Sequence, residues 1–193
     1  MKRNRGFTFF DLFLLQIIVG LIAFVTIPTF LKFQARSKQS EAKANLKALW
    51  TAEMAYRQEK DIFSTDVGKV GFEPVRGNRY QYNALGNSQA NLEQRTGTVA
   101  DPTPGRDGIA VDVFKYAVSG QFVSGAYLCD PGAFGGAAAP LFVGGAQGQL
   151  DEDLQLDVWT ISTADRAAER SCLGLGTTVP AGTPYNEYDD VDN

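Results

Sequence analysis

Residues 2–31 read KRNRGFTFFDLFLLQIIVGLIAFVTIPTFL, and the rest of the architecture follows from this stretch. A basic leader ends at Gly6, and the run from 12 to 31 is apolar enough and long enough, at about 20 residues, to cross a bilayer as a helix. One carboxylate, Asp11, stands at its start. An acid in a membrane span costs roughly 2.5–3.5 kcal/mol, so a compensating positive charge is expected.

The obvious compensating charge is a free amino terminus made by cleavage between Gly6 and Phe7. A straight helix cannot bring its own terminus to Asp11, but a neighbouring copy can. The basic leader places the N-terminus in the cytoplasm and the remainder of the chain outside. A secretory signal would be cut after its apolar core, whereas the only plausible cut here precedes the run, so the segment is expected to stay in the mature chain.

The junction resembles that of the type IV pilins and the related type II secretion pseudopilins. In these proteins a short basic leader ends in Gly, Phe and often Thr follow, and an acid stands four residues after the Phe. Gly6, Phe7, Thr8 and Asp11 occupy those positions. The family acid is normally Glu, so this chain departs from the pattern by one methylene.

The resemblance continues beyond the junction. Gly20 and Pro28 fall where the family has its helix-loosening Gly and Pro, and both are expected to kink the free helix and to melt it locally in a fibre. The stretches 33–43, 45–49 and 76–80 are similar to the major pilins of myxobacteria and related delta-class Gram-negative bacteria. The match is specific over about the first 85 residues and weak afterwards.

The resemblance implies an α+β pilin fold with four parts. Residues 1–6 are a cleaved leader peptide, and residues 7–33 are a transmembrane helix that also forms the filament core. Residues 34–60 are an amphipathic stalk helix. Residues 61–193 are a globular head, in which a small antiparallel sheet packs on the stalk and a disulfide bounds a C-terminal loop.

The implied function is that of a structural subunit which polymerises into a type IV pilus for adhesion and twitching motility. A prepilin peptidase and methyltransferase would cut after Gly6 and methylate the Phe7 amine. That amine would pair with Asp11 of an adjoining copy, so the main partner is the chain itself. The precursor would lie in the inner membrane of a Gram-negative cell, where assembly machinery passes it into the extracellular pilus.

Two other interpretations remain open. A minor pilin or a type II secretion pseudopilin would share the same junction and helix. A membrane-anchored extracellular enzyme or binding module would leave the Gly6–Phe7 junction and Asp11 unexplained. The chain contains no histidine, which removes His-based nucleophile arrangements and zinc sites, and it has no phosphate loop or dinucleotide motif. No catalytic site, metal or cofactor is therefore expected.

Hydrophobic periodicity predicts one helix over residues 7–60. Past Lys32 the apolar positions Ala35, Ala42, Leu49 and Tyr56 recur every seven residues, with Leu46 on the same face. Further along, the runs 111–119 and 121–127 predict a hairpin and 157–163 a third strand, within a sheet of three or four strands. The Gly- and Ala-rich segment 131–148 is interpreted as a surface loop, and the tail from Gly174 as irregular.

Charge is divided unevenly along the chain. Residues 32–60 carry seven basic and three acidic residues, and residues 61–193 carry eight and eighteen. The basic residues either form a solvated helix face or lie against the acidic heads of neighbouring copies, in which case assembly would be sensitive to salt.

The chain has two cysteines, Cys129 and Cys172. In an exported chain they are expected to form one disulfide, worth roughly 4 kcal/mol for a loop of about 44 residues. The alternative is a pair of buried free thiols. By the resemblance, this disulfide bounds a surface loop near the end of the head.

Two further clusters are weaker candidates. Asp157 with residues 151–153 provides oxygen ligands suited to calcium, but without the spacing of an EF-hand loop, so a solvated acidic turn is preferred. Basic and aromatic residues that could contact polysaccharide or nucleic acid lie at Lys69, Arg76, Arg79, Tyr80 and Tyr82. The acidic head argues against specific nucleic acid binding, and the segment 76–80 is interpreted as a turn in which Gly77 permits a positive φ.

Overall fold

The computed structural model describes residues 8–86, 91–97, 106–115, 127, 129–134, 140–150, 156–166 and 178–189. One helix, α1, runs over Phe9–Lys60. The strands within the described ranges are β1 Gln81–Asn83, β2 Leu92–Glu93, β3 Gly108–Ile109, β4 Gly132–Phe134, β5 Leu141–Gly148, β6 Asp157–Ser162 and β7 Tyr185–Tyr188. This confirms the α+β class and the long helix. The chain divides into two compact units, Met1–Ser37 and Lys38–Asn193, and α1 contributes to both.

In the first unit the apolar side chains of α1 are exposed. Phe9 is 85% exposed, Phe24 is 82% exposed and Phe33 is 71% exposed. Within the described residues α1 is the one helix that is long enough and apolar enough to cross a membrane, and none of its apolar window is buried. The helix of this unit therefore has no covering surface of its own.

In the second unit α1 buries a stripe. Ala42, Leu46 and Leu49 are fully buried, at the spacing that places side chains on one helical face. Leu49 approaches β5, where its Cδ2 atom lies 2.8 Å from the position that a Cβ atom on Gly144 would occupy. The predicted packing of an amphipathic helix on a sheet is confirmed at these positions.

The sheet has the order β2-β3-β1-β5-β6-β7, with β4 paired to β5. Every pair is antiparallel except β2–β3, which is parallel. The expectation of three or four antiparallel strands is therefore wrong in number and in the direction of one pair. Two-residue strands such as β2 and β3 are too short for an alternating pattern to be recognised in the sequence.

The interpretation of residues 131–148 as a surface loop is wrong, because β4 and the central strand β5 lie there. Small residues are needed in β5, since neighbouring side chains approach the backbone closely. A Cβ atom on Gly145 would lie 2.5 Å from the Tyr127 ring, and one on Gly148 would lie 2.8 Å from the Tyr80 ring. Glycine in a strand often marks such a close approach rather than a loop.

Of the remaining predictions for the head, one is confirmed and two are wrong in part. The strand predicted over 157–163 is confirmed as β6. The described part of the run 111–119 forms a turn and no strand, so that part of the predicted hairpin is wrong, and residues 116–126 lie outside the described residues. The tail from Gly174 is not wholly irregular, because β7 adds to the edge of β6. Strand β7 is stabilised by its pairing with β6, a non-local contact that a local sequence pattern cannot reveal.

Candidate functional site

The start of α1 places the predicted acid next to a threonine. Thr8 precedes the helix, and its backbone N–H donates to Asp11 Oδ2 at 2.9 Å while its hydroxyl donates to the same oxygen at 2.8 Å. In return the Asp11 N–H donates to Thr8 Oγ1 at 3.3 Å. This reciprocal arrangement is a capping box, with Asp in the place usually taken by Glu or Gln.

The capping box was not part of the sequence interpretation, although the spacing of Thr8 and Asp11 contained its signal. Both carboxylate bonds go to one oxygen, Oδ2, and both come from neutral donors. The box therefore fixes the direction of the carboxylate without neutralising its charge. Gly6 and Phe7 lie outside the described residues.

The two predicted helix-loosening positions lie within a continuous stretch of α1. No heavy atom lies within 4 Å of the position of a Cβ atom on Gly20. Around Pro28, the Thr26 hydroxyl donates to Ile22 O at 2.8 Å and the Thr29 hydroxyl donates to Val25 O at 2.9 Å. Such bonds to the preceding turn are associated with helix bending.

Lysines of the stalk contact the chain's own head. Lys38 Nζ donates to Leu150 O at 2.7 Å, and the Lys43 Nζ lies 4.7 Å from the centroid of the Trp159 ring. Lys47 Nζ donates to Gly182 O at 2.9 Å. At least these three basic residues thus have an intramolecular role, which the sequence interpretation did not foresee.

A buried carboxylate, Asp157, is the centre of the contacts between helix and head. Its Oδ1 accepts from Gln39 Nε2 and Asn186 Nδ2, each at 3.1 Å. Its Oδ2 accepts from the Tyr80 hydroxyl at 2.6 Å and from Trp159 Nε1 at 2.5 Å. Desolvation by burial raises the pKa of Asp157, although all four bonds oppose that effect.

The position of Asp157 corrects the sequence interpretation of a solvated acidic turn at this residue, because Asp157 is fully buried. The other members of that cluster, residues 151–153, lie outside the described residues. Among the described residues no cluster of three or more potential ligands could hold a metal ion.

The basic and aromatic cluster does not form a stacking surface, since Tyr80 and Tyr82 are fully buried. The predicted turn is confirmed, because Gly77 has a φ of 89°. Arg76 Nε donates to Asp112 Oδ2 at 2.8 Å, as does the Gly77 N–H at 2.8 Å. The hydrogen bond from Arg76 is the main reason that the pKa of Asp112 is lowered. The ion pair closes the turn onto the loop after β3.

A shallow cavity of about 420 Å³ lies beside this ion pair. Further into the head, Glu93 accepts from Arg95 Nε at 3.3 Å and also from Arg106, and the side chains of Glu93 and Arg95 are fully buried. Arg95 Nη1 in addition donates to Pro74 O at 2.9 Å. These charges are paired inside the head and so serve its internal structure.

Cys129 is disulfide-bonded, and Cys172 lies outside the described residues. Cys129 is buried in an apolar cluster with Val143 and Val179, and polar groups reach it as well. The Cys129 N–H donates to Glu187 Oε1 at 3.3 Å, and Arg166 Nη1 lies 3.9 Å from Cys129 Sγ. Arg166 also donates to Thr160 Oγ1 at 2.5 Å, so the cysteine is tied to β6 and β7.

The sequence of the chain is similar to that of a known protein family. A sequence model of the family described as type IV pilin PilA matches residues 33–156, a range that begins in α1 and reaches past β5. The type IV major pilin protein PilA of Myxococcus xanthus (strain DK1622) is 35% identical over 205 residues, which covers 98% of this chain and 93% of that protein. The similarity therefore extends through the head.

A second relative matches a shorter part. A fimbrial protein of Pseudomonas aeruginosa is 34% identical over 70 residues, which covers 36% of this chain and 46% of that protein. The shorter match supports the kind of protein but does not extend to the whole head.

Proposed function

The chain belongs to the type IV pilin PilA family, and on that premise we propose that it is the major subunit of a type IV pilus, held together through its N-terminal helix. The family is one of structural proteins. The observation that carries the proposal is the exposure of the apolar side chains of α1 from Phe9 to Phe33, in a chain that buries the apolar stripe of the same helix further along. Such a surface needs lipid before assembly and other copies of the helix after it.

Processing would expose the partner of the acid. A prepilin peptidase would remove residues 1–6 by cutting between Gly6 and Phe7, and a methyltransferase would methylate the Phe7 amine, which stays cationic. The precursor would wait in the inner membrane, anchored by the apolar part of α1. Pilus assembly machinery would then pass it into a fibre outside the Gram-negative cell, for adhesion and twitching motility on surfaces or polysaccharide.

The pairing of the Phe7 amine with Asp11 of an adjoining copy would set the register of the fibre. An opposite-charge pair at about 4 Å is worth on the order of 4 kcal/mol at an effective dielectric near 20, before desolvation is subtracted. This roughly equals the cost of about 2.5–3.5 kcal/mol for placing the acid in the membrane. The pair would therefore select register, and the burial of apolar helix surface would supply most of the cohesion.

Thr8 supports this role by holding the carboxylate. Its amide and hydroxyl both bond to Asp11 Oδ2, so the side chain has a defined direction before any partner arrives. The amine of a neighbouring copy would add the positive charge that these neutral donors lack. The shorter side chain of Asp, compared with the usual Glu, is in this way compatible with assembly.

Two further features follow from the family. The region between Gly20 and Pro28 would loosen in the fibre, where helices crowd together, although α1 is continuous in the single chain. Cys129 would pair with Cys172, the only other cysteine of the sequence, and this bond would bound a loop at the surface of the head.

The proposal is tested on fibres sheared from the cell surface. Electron microscopy should show helical fibres, this chain should be their most abundant protein, and N-terminal sequencing should begin at a methylated Phe7. A chain that is scarce in the fibres would be a minor pilin or a pseudopilin. Recovery of solitary chains that still carry Met1, in cells with an active prepilin peptidase, would refute the proposal.

A further inference from the structure

Glu53 is a buried acid on α1 that plays no part in the proposed assembly. It is fully buried on the face of the helix that contains Leu46 and Leu49. Its Oε2 accepts one hydrogen bond, from the Ser64 N–H at 3.2 Å. Its Oε1 is buried and has no hydrogen-bond partner among the described residues. A carboxylate in this setting would lack the donors that a buried charge requires.

The bond from Ser64 fastens the segment that leaves the helix. Directly after the end of α1, Asp61 has a φ of 60°, which is unusual for a residue other than glycine. Phe63 then turns back into the core, where its ring centroid lies 6.0 Å from that of Phe142 on β5. Segment 61–64 is thus held by the ring contact, by the hydrogen bond to Glu53, and by backbone and hydroxyl bonds that include Asp61 N–H to Arg57 O at 2.8 Å and Asp66 N–H to Ser64 Oγ at 3.0 Å. Of these hydrogen bonds, only the one to Glu53 involves an ionisable side chain.

The charged groups that follow Glu53 along the chain are otherwise engaged. Arg57, one turn along α1, has its guanidinium carbon 5.1 Å from the centroid of the Phe63 ring. Asp66 accepts from the backbone of Gly68 at 3.0 Å.

At the end of the helix, Lys60 pairs with Glu59 at 2.7 Å, and both side chains are exposed. Asp61 is also exposed. Strand β5 contributes the apolar Phe142 to this side of the head. Burial is the main cause that raises the pKa of Glu53, to about 7, and the Ser64 hydrogen bond opposes it only in part.

We propose that Glu53 and segment 61–64 form a pH-dependent switch, in which the neutral carboxyl group holds the segment against the helix and the ionised group releases it. The neutral group accepts the bond from Ser64 and fits its apolar surroundings. The ionised group gains solvation when the segment opens and water enters. The junction of helix and head would therefore be firmest in acid.

The direction follows from linkage between proton binding and opening. In the closed form the pKa of Glu53 is about 7, and in the open form it is expected near its usual value of 4.5. Opening releases a proton, so the fraction of open molecules rises about tenfold per pH unit between these two values and levels off above the higher one. The group is neutral and the segment closed at the acidic end of this range.

Amide hydrogen exchange at Ser64 measures the opening directly. The full-length chain in detergent micelles is compared between about pH 5 and about pH 7, after correction for the intrinsic pH dependence of exchange. The wild type should open about fortyfold more often at the higher pH. Glu53→Gln keeps the size of the side chain and an acceptor for Ser64, and its opening should not change with pH. Glu59→Gln, on the exposed side of the helix, should behave as the wild type.

Two results would overturn the switch. The first is an equal pH dependence in the wild type and in Glu53→Gln, and the second is an opening of the wild type that does not vary with pH. If the Gln variant fails to fold, a titration of the Glu53 carboxyl carbon by NMR in the wild type decides the question. A midpoint near 7 supports the switch, and a midpoint near the ordinary value for Glu excludes it.

Discussion

Both halves of α1 contain apolar residues, yet only the second half includes a fully buried apolar stripe. Phe24 in the first half is 82% exposed, whereas Leu49 in the second half is fully buried. The two halves differ because the same chain covers the apolar side chains of the second half only. The head supplies a sheet for the second half, and the first half must find its cover in lipid or in other copies of the helix.

This comparison separates the stability of the head from the formation of the fibre. The head has its own core and its own buried polar contacts, so its free energy of unfolding should depend on residues from Lys38 onwards. Formation of the fibre should depend on residues up to Ser37. Substitutions in one half are therefore expected to leave the property that belongs to the other half unchanged.

The largest effect is expected for Asp11→Ala, which removes the carboxylate but keeps the apolar helix. The amount of sheared fibre should fall at least about tenfold, because the copies lose the charge pair that sets their register, even though the cost of burying the acid is removed as well. The chain should still accumulate in the membrane, and its head should unfold at the same denaturant concentration as the wild type.

Asp11→Glu is the matched control for this substitution, because it restores the acid that is usual in the family. Fibre yield and fibre appearance should then be close to those of the wild type. Normal fibres from Asp11→Ala would show that the acid has no role in assembly.

The second-largest effect is expected for a substitution in the second half of α1. Leu49→Ala should lower the free energy of unfolding of the head by about 2–5 kcal/mol, because it leaves a cavity between α1 and β5. Leu15→Ala removes the same atoms from a side chain that is 52% exposed, and it should change that free energy by less than about 0.5 kcal/mol.

Chemical denaturation followed by tryptophan fluorescence measures both variants. The two tryptophans of the chain, Trp50 and Trp159, both lie in the second unit and so report on the head. Equal destabilisation by the two substitutions would mean that the first half also contributes to the stability of the head. The assignment of head stability to the second half alone would then be wrong.

A smaller effect is expected at Asp157, which joins α1 to β6 and β7 by accepting four hydrogen bonds. Asp157→Asn places an NH₂ group against donors, so at least one buried pair is lost at a cost of about 1–3 kcal/mol in the same denaturation assay. Asp165→Asn is the control, since Asp165 is exposed and its Oδ1 accepts one bond from the Ala181 N–H, which an Asn oxygen can also accept. Similar midpoints for both variants would argue that Asp157 contributes nothing beyond its size.

The sequence was sufficient where the pattern is local and repeated. The helix was predictable because the apolar positions Ala42 and Leu49 recur at a helical period, and β6 because 157–163 alternates. The turn at Gly77 was predictable because glycine adopts a positive φ at little cost.

The sequence was insufficient where a residue takes its role from distant parts of the chain. The glycines of β5 resemble a loop until Tyr80 and Tyr127 are placed against them. Asp157 resembles part of a solvated turn until Gln39 and Tyr80 converge on it. In each case the deciding contact lies far away along the chain, and no local period marks it.

The smallest effect is expected at Thr8, on the side of the comparison that concerns assembly. Thr8→Val keeps the shape of the side chain but removes the hydroxyl that bonds to Asp11, and the loss of such a cap costs about 0.5–2 kcal/mol. The carboxylate then keeps only the backbone N–H of residue 8 and is held less firmly. Fibre yield, measured by shearing and immunoblotting, should fall a few-fold.

Thr8→Ser retains the hydroxyl and should restore the yield, which separates the hydrogen bond from any effect of side-chain bulk. The stability of the head should be the same in all three proteins, because Thr8 lies in the first unit. Equal yields for Val and Ser would show that the capping box only begins the helix. A defect confined to Val would instead show that the direction of Asp11, and not merely its charge, matters when a new copy joins the fibre.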